Sequence, residues 1–116
     1  KGLLIEMMNN TNNNQSIEFN DNRLSLFSAQ IGKCAVTQRV FRTTEEIHCH
    51  HKKPREKGGG DEYANLTLVL EPVHKLIHAR TEETINKYLQ ISKLTPFEIE
   101  KVNKLREMAG NKKIVI

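Results

Sequence analysis

All five histidines of the chain lie between His48 and His78. The pattern is His50-His51, then Asn65, then His74 and His78. On a helix, His74 and His78 sit one turn apart on the same face, a two-ligand geometry for a metal ion. On a strand, successive side chains point to opposite faces. His50 and His51 therefore cannot both aim at one ion: one can ligate while its neighbour does something else. Three neutral imidazoles leave a metal its whole charge and open coordination positions. Such an ion can bind a non-bridging oxygen of a phosphodiester and offset charge on the leaving 3′-oxygen. A free histidine near its ordinary pKa takes a proton from water at neutral pH. Taken alone, His74 and His78 read as two surface histidines on a helix; what lifts them above that is the shared register with His50, His51 and Asn65.

The elements that must position these residues form an α+β pattern: a strand, a glycine loop, a strand and a helix, together a ββα unit. Ile47 and the residues to His51 read as a strand, and Pro54 ends it. Gly58-Gly59-Gly60-Asp61 reads as a turn, residues 65–70 as extended, and Pro72 as the first turn of a helix to about Ala79. Residues 34–41 are rich in good strand formers (Val36, Thr37, Val40, Phe41) and read as a further strand. Before them, residues 23–31 read as a helix capped by Asp21 or Asn22 and ended by Gly32, with Leu24, Phe27 and Ile31 on its apolar face. Two helices follow the unit. One runs from Thr81 to about Ile91. The other opens with the capping box Thr95-Pro96-Phe97-Glu98, ends at Gly110, and carries Ile99, Val102, Leu105 and Met108 on one face.

Length and charge narrow the class. A chain of 116 residues fits one domain. Eighteen Lys and Arg against 14 Asp and Glu give a net charge of +4. No apolar run approaches the ~20 residues that span a bilayer, and the start is too soon acidic for a signal peptide. Two cysteines, Cys34 and Cys49, do not make a secreted disulfide scaffold, which favours a reducing compartment. The chain opens on Lys1 rather than Met, as a fragment or processed chain does. Half of residues 9–22 are Asn, a composition that cannot bury itself. Residues 1–21 accordingly read as a linker, with one helical turn around Leu3 to Met8, and residues 112–116 as a tail. Basic charge gathers at Lys52, Lys53, Arg55 and Lys57, and again at Lys101, Lys104 and Arg106. The first group, next to a metal site, is a candidate contact for a polyanion backbone.

The run His48-Cys49-His50-His51-Lys52-Lys53-Pro54, followed by Gly58-Gly59, Asn65-Leu66, His74 and His78, resembles the HNH nuclease motif. The DNase colicins share this form. The residues from Asn22 to Gln30, the run Gly32-Lys33-Cys34-Ala35-Val36-Thr37, the Asp61-Glu62-Tyr63-x-Asn65-Leu66 segment and Asn103-x-Leu105-Arg106 resemble the endonuclease domain at the C-terminus of group II intron reverse transcriptase/maturases. The resemblance spans roughly residues 17 to 111. It implies a ββα-metal core with a helix before it and two after it, over residues 22–111. It makes His50, His74 and His78 ligands of one divalent metal and His51 the general base, with Asn65 pinning the loop and helping to orient that base. Mg2+ would be the working ion, and Zn2+ or Ni2+ suit three imidazoles by affinity. The Cys-x-x-Cys knuckles of many relatives are broken here, since Ala35, Val36 and Thr37 follow Cys34, which argues against a second, structural zinc.

The function implied is a DNA endonuclease that cuts the bottom strand to leave a 3′-hydroxyl for reverse transcription in intron homing. Its partners would be double-stranded DNA and, through upstream domains, the intron RNA. No membrane is involved, and the site of action would be the bacterial cytoplasm or an organelle. Two other readings stay open on the residues. One is a free-standing homing or phage HNH nuclease. The other is a non-catalytic zinc module that binds nucleic acid, with His51 as a fourth ligand in a closed site.

Overall fold

A computed structural model of the chain describes residues 2–9 and 15–115. In order, the elements are α1 (Gly2–Asn9), α2 (Ile17–Ala29), β1 (Ile47–His51), β2 (Leu66–Leu70), α3 (Glu71–His78), α4 (Glu82–Ser92) and α5 (Pro96–Met108). Single 3-10 turns lie at Thr44–Glu46, Arg55–Lys57 and Tyr63–Asn65. The fold is a small α+β unit: β1 and β2 pair antiparallel, with Ile47 opposite Leu70, His50 opposite Thr67 and His51 opposite Leu66. β2 is buried from Leu66 through Val69, as its unbroken apolar run requires. The side chain of Gln30, at the end of α2, grips its edge: Nε2 donates to the Leu68 carbonyl (3.0 Å) and Oε1 accepts from the Leu68 amide (3.0 Å). α3 follows β2 without a loop, with Pro72 in its first turn. Val73, Leu76 and Ile77 of α3 join Leu66, Leu68 and Val69 in the core.

Several expectations are corrected. Residues 34–41 are not a strand. They form a tight turn in which the Cys34 amide donates to the Arg39 carbonyl (2.8 Å) and the Gln38 amide to the Cys34 carbonyl (2.9 Å). Gln38 takes the left-handed conformation (φ 62°), which folds the segment back on itself. Its strand-forming side chains Val36 and Phe41 are buried all the same, so propensity here reported burial rather than pairing. α2 begins earlier than the apolar face suggested. Its cap is Ser16, whose Oγ accepts from the Phe19 amide (2.9 Å), not Asp21 or Asn22. Ile31 lies beyond the helix end and is exposed, leaving Phe19, Leu26 and Phe27 as the buried residues.

The α5 capping box is present, with Glu98 bonding the Thr95 amide (2.9 Å). The buried stripe of α5, however, runs Ile99, Val102, Arg106, Ala109, while Met108 is exposed. Those spacings of three, four and three are one helical face, and an arginine occupies the place where an apolar residue was expected.

The linker reading of 1–21 meets the structure at residues 2–9 and 15–21; residues 10–14 lie outside the described residues. Met7 of α1 is fully buried, and Arg23 Nη2 lies 3.4 Å from its carbonyl. The part of 112–116 that is described is likewise docked: Ile114 is buried, and its amide and carbonyl bond the Asn103 side chain (2.7 and 3.1 Å). Asn103 thus supplies the partners a strand neighbour would give. Among the described residues, no helix is long and apolar enough to cross a membrane.

Candidate active site

Strand parity divides the histidines of β1 between two faces. His48 and His50 point towards α3; His51 points towards α2. His50 meets His74 and His78, their ring centroids 5.2 and 5.0 Å away, and His74 and His78 are 4.9 Å apart. One ring nitrogen from each of the three lies within 4.8 Å of the others. The i, i+4 spacing on α3 thus works as the sequence pattern anticipated.

His50 is completely buried, and neither ring nitrogen has a hydrogen-bond partner. A buried polar atom left unpaired costs about 1–3 kcal/mol. Burial, with His74 and His78 adding to it, lowers the His50 pKa to about 3; burial and His78 lower that of His74 to about 4. His78 is lowered too, chiefly by burial. These rings are neutral at physiological pH, the form that offers a lone pair to a cation. The orphaned nitrogens and the donor chemistry both fit one divalent ion, and His78, the exposed member, leaves one side of the cluster open. His48 is not a member of the cluster. Its Nδ1 lies 2.9 Å from Nδ1 of His74, one of the two donating, so it holds the His74 ring in place.

His51 is anchored on the other face. Its Nε2 is 2.8 Å from Asp61 Oδ1, and its ring stacks on Phe19 of α2 (5.7 Å, 9° between planes). Asp61 is held in turn: Oδ2 accepts from Ser16 Oγ (2.7 Å), Oδ1 accepts from Arg55 Nη2 (3.0 Å), and the Asp61 carbonyl accepts from Asn22 Nδ2 (2.8 Å). Hydrogen bonds from His51 and Ser16 keep its carboxyl below the usual carboxylate range. An anion at that place accepts a hydrogen bond from Nε2–H of His51, which keeps the proton on Nε2 and leaves Nδ1 as the lone-pair nitrogen. Arg55 Nε also lies 3.2 Å from Nε2, but a nitrogen that donates to Asp61 does not accept there as well.

Asn65 clips the intervening loop. Its Oδ1 accepts from the Lys53 amide (2.9 Å), and its Nδ2 donates to the carbonyls of Lys53 (3.1 Å) and Gly60 (2.9 Å). No bond runs from Asn65 to His51. Its influence on that ring passes through the loop that carries Arg55 and Asp61. Gly59 is required in this clip, because a Cβ there would collide with the Lys53 carbonyl.

Of the basic residues named from the sequence, Arg55 is occupied by Asp61 and Gln15, and Lys57 Nζ bonds the Ala109 carbonyl (3.1 Å). Lys53 is exposed and Lys52 half-buried. Cys34 and Cys49 are both free thiols. Burial pushes the Cys49 thiol up to about 12, a poor ligand or nucleophile.

The residues around His51 that sequence reasoning missed are Asp61, Ser16 and Phe19. Asp61 was signalled by its place after three glycines and by the Asp61-Glu62-Tyr63-x-Asn65-Leu66 segment, neither of which marks it as the partner of His51.

Residues 34–80 match the family model of the HNH endonucleases. The matched stretch contains β1, β2, α3 and all five histidines, and the two-stranded antiparallel sheet followed by a helix agrees with an HNH ββα-metal core. It supports an HNH domain in this part of the chain, and with it a nuclease that uses a divalent metal, an ion the histidine triad could hold. Neither a curated protein nor a solved structure matches the chain.

Proposed function

We propose that the chain is a metal-dependent DNA endonuclease domain that hydrolyses a phosphodiester to leave a 3′-hydroxyl. The observation that carries this reading is the division of neighbouring histidines across β1. His50 joins His74 and His78 with its nitrogens unpartnered, while His51 stands apart, tied to a carboxylate. His50, His74 and His78 would hold the ion, which supplies positive charge for the phosphate and for the leaving oxygen.

The chain's own residues do the rest. His51 Nδ1 takes a proton from water as the water oxygen bonds to phosphorus. The bond from phosphorus to the 3′-oxygen breaks, and solvent protonates that oxygen. Asp61 holds the Nε2 proton throughout and stabilises the imidazolium that forms. An open side at His78, with no fourth His, Cys, Asp or Glu joining the triad among the described residues, favours this reading over a closed zinc module.

The setting we favour is bottom-strand cleavage during group II intron homing, in a bacterial cytoplasm, with intron RNA bound by upstream domains. Its support is the maturase-like segments outside the histidine motif, from Asn22 to Gln30 and at Asn103 to Arg106. The reaction is tested by incubating supercoiled DNA with the protein and Mg2+. Nicks that a polymerase extends directly, and that EDTA prevents, are expected. Nicking without a divalent ion, or ends that need a phosphatase before extension, would overturn the chemistry. A reverse-transcriptase domain encoded directly upstream is the expected finding for the intron setting.

A further inference from the structure

A second feature lies beyond the histidine site, where the end of α3 meets the end of α5. A cavity of about 450 Å3 is lined by Lys57, Arg80, Arg106, Gly110, Asn111 and Lys112. Four of these six residues are cations and none is an acid.

Arg106 is the unusual member. It is 3 % exposed, yet no carboxylate among the described residues pairs with it. Its Nη1 donates to the carbonyls of Leu76 and Ala79 (both 2.7 Å), and its Nε to that of Lys112 (2.7 Å). The remaining guanidinium nitrogen, Nη2, has no hydrogen-bond partner among the described residues, and the side chain lines the cavity. Burying a charge is costly unless it is paired. Carbonyl dipoles meet part of that need here, and the cavity lining, which holds three further cations, supplies no anion. Gly110, in the left-handed conformation (φ 89°), leaves room for Lys57 to reach the end of α5; a Cβ there would collide with Nζ.

We propose that this cavity is a second anion site, one that takes a phosphodiester group of the nucleic-acid backbone. The assignment of the anion to a DNA backbone rests on the nuclease reading; the anion site itself does not. Arg80 follows His78 by two residues, just past the end of α3, so part of the cavity lining begins in the chain where the last histidine of the triad ends. The cavity residues contact phosphate, so they position the strand without reading its bases.

Arg106 also holds the end of α3, so the test uses the exposed pair Arg80→Gln/Lys112→Gln in the full chain. Lys87→Gln/Lys93→Gln is the control with the same change in charge. Inorganic phosphate is titrated while amide NMR shifts are followed, and duplex DNA binding is measured in EDTA across a salt series. In the parent, saturable phosphate shifts are expected at Arg80, Gly110 and Asn111, and the pocket variant should lose them. Its log–log salt slope should flatten by about 0.9 for each lost contact, beyond any change in the control. Absent phosphate shifts at the cavity, or a slope equal to the control's, would overturn the proposal. Phosphate shifts with an unchanged duplex slope would assign the site to a free anion and reject the backbone. A parent that binds duplex DNA through this cavity but never nicks it would remove the hydrolytic reading and leave the anion site standing.

Discussion

His50 and His51 are neighbours in one strand, and their surroundings are opposite. His50 is sealed in, uncharged, and without a hydrogen bond at either nitrogen. His51 is half-buried and held by Asp61, with Ser16 and Arg55 behind that carboxylate and Phe19 under the ring. A protein satisfies nearly all of its buried polar atoms, so a ring left wholly unsatisfied marks a place for a group from outside the chain. A ring fixed by a carboxylate has its tautomer chosen, with one nitrogen occupied and the other available. The pleat of β1 turns one dipeptide into these two environments. α3 supplies the first and α2 with the glycine loop supplies the second.

The sharpest way to break this comparison is to remove one neighbour and ask whether the other notices. His51→Ala should lower the nicking rate by about 10²–10⁴-fold, the usual worth of a general base. Metal affinity should stay at the parent's level, because the ring faces away from the triad. Metal titration alongside a single-turnover nicking assay checks both. A variant that loses the metal would place His51 among the ligands.

The triad face should also respond to acid. In the metal-free protein, His50 and His74 have folded pKa values of about 3 and about 4, below the 6.5 of an unfolded chain. The unfolded state therefore binds more protons as pH falls below about 6.5, and the stability present above that pH is lost on the way down. Each of the two can remove up to about 1.4 kcal/mol per pH unit. Denaturant melts of the metal-free protein from pH 7 to pH 4 should show the fall, and His50→Gln should reduce its steepness. An unchanged slope in that variant would mean His50 is not the buried neutral ring described.

How far these sites could be read in advance follows from the range of the forces involved. The triad was legible because strand parity and the i, i+4 helical step are local rules, and both held at His50, His74 and His78. The partner of His51 was not, because Asp61 is brought back to the strand by a loop clipped at Asn65, and Ser16 arrives from another helix. The fold divides in the same way. The capping box at Thr95 and the helix after Pro72 are local and were foreseen. The turn at residues 34–41 was misread because Val36 and Phe41 are buried like strand residues while the backbone bonds to itself. Arg106 was misplaced because its burial depends on carbonyls at the end of α3, which α5 itself does not announce.

A smaller effect tests the anchoring of His51 alone. Asp61→Asn keeps the shape of the side chain but can present an N–H to Nε2, which moves the His51 proton to Nδ1. Outer partners that orient an imidazole are worth about 10–100-fold, and a loss of that size is expected in kcat with little change in KM. The imidazole nitrogen shifts in a long-range 15N NMR experiment should report the altered tautomer, which a purely structural role of Asp61 would leave alone.

The smallest effect separates packing from orientation at Ser16. Its Oγ accepts from the Phe19 amide and donates to Asp61 Oδ2, so one hydroxyl caps α2 and steadies the carboxylate. Ser16→Ala loses both roles. The lost cap costs about 1 kcal/mol, or a fall of about 4 °C in Tm for a domain of this size. Ser16→Asp keeps a capping oxygen but sets a second negative charge against Asp61, so its Tm should recover towards the parent while nicking stays reduced. Ser16→Thr retains both functions and should match the parent in each. If Ser16→Asp nicks as fast as Ser16→Thr, the hydroxyl serves α2 only, and the carboxylate behind His51 is held well enough by Arg55 and the loop.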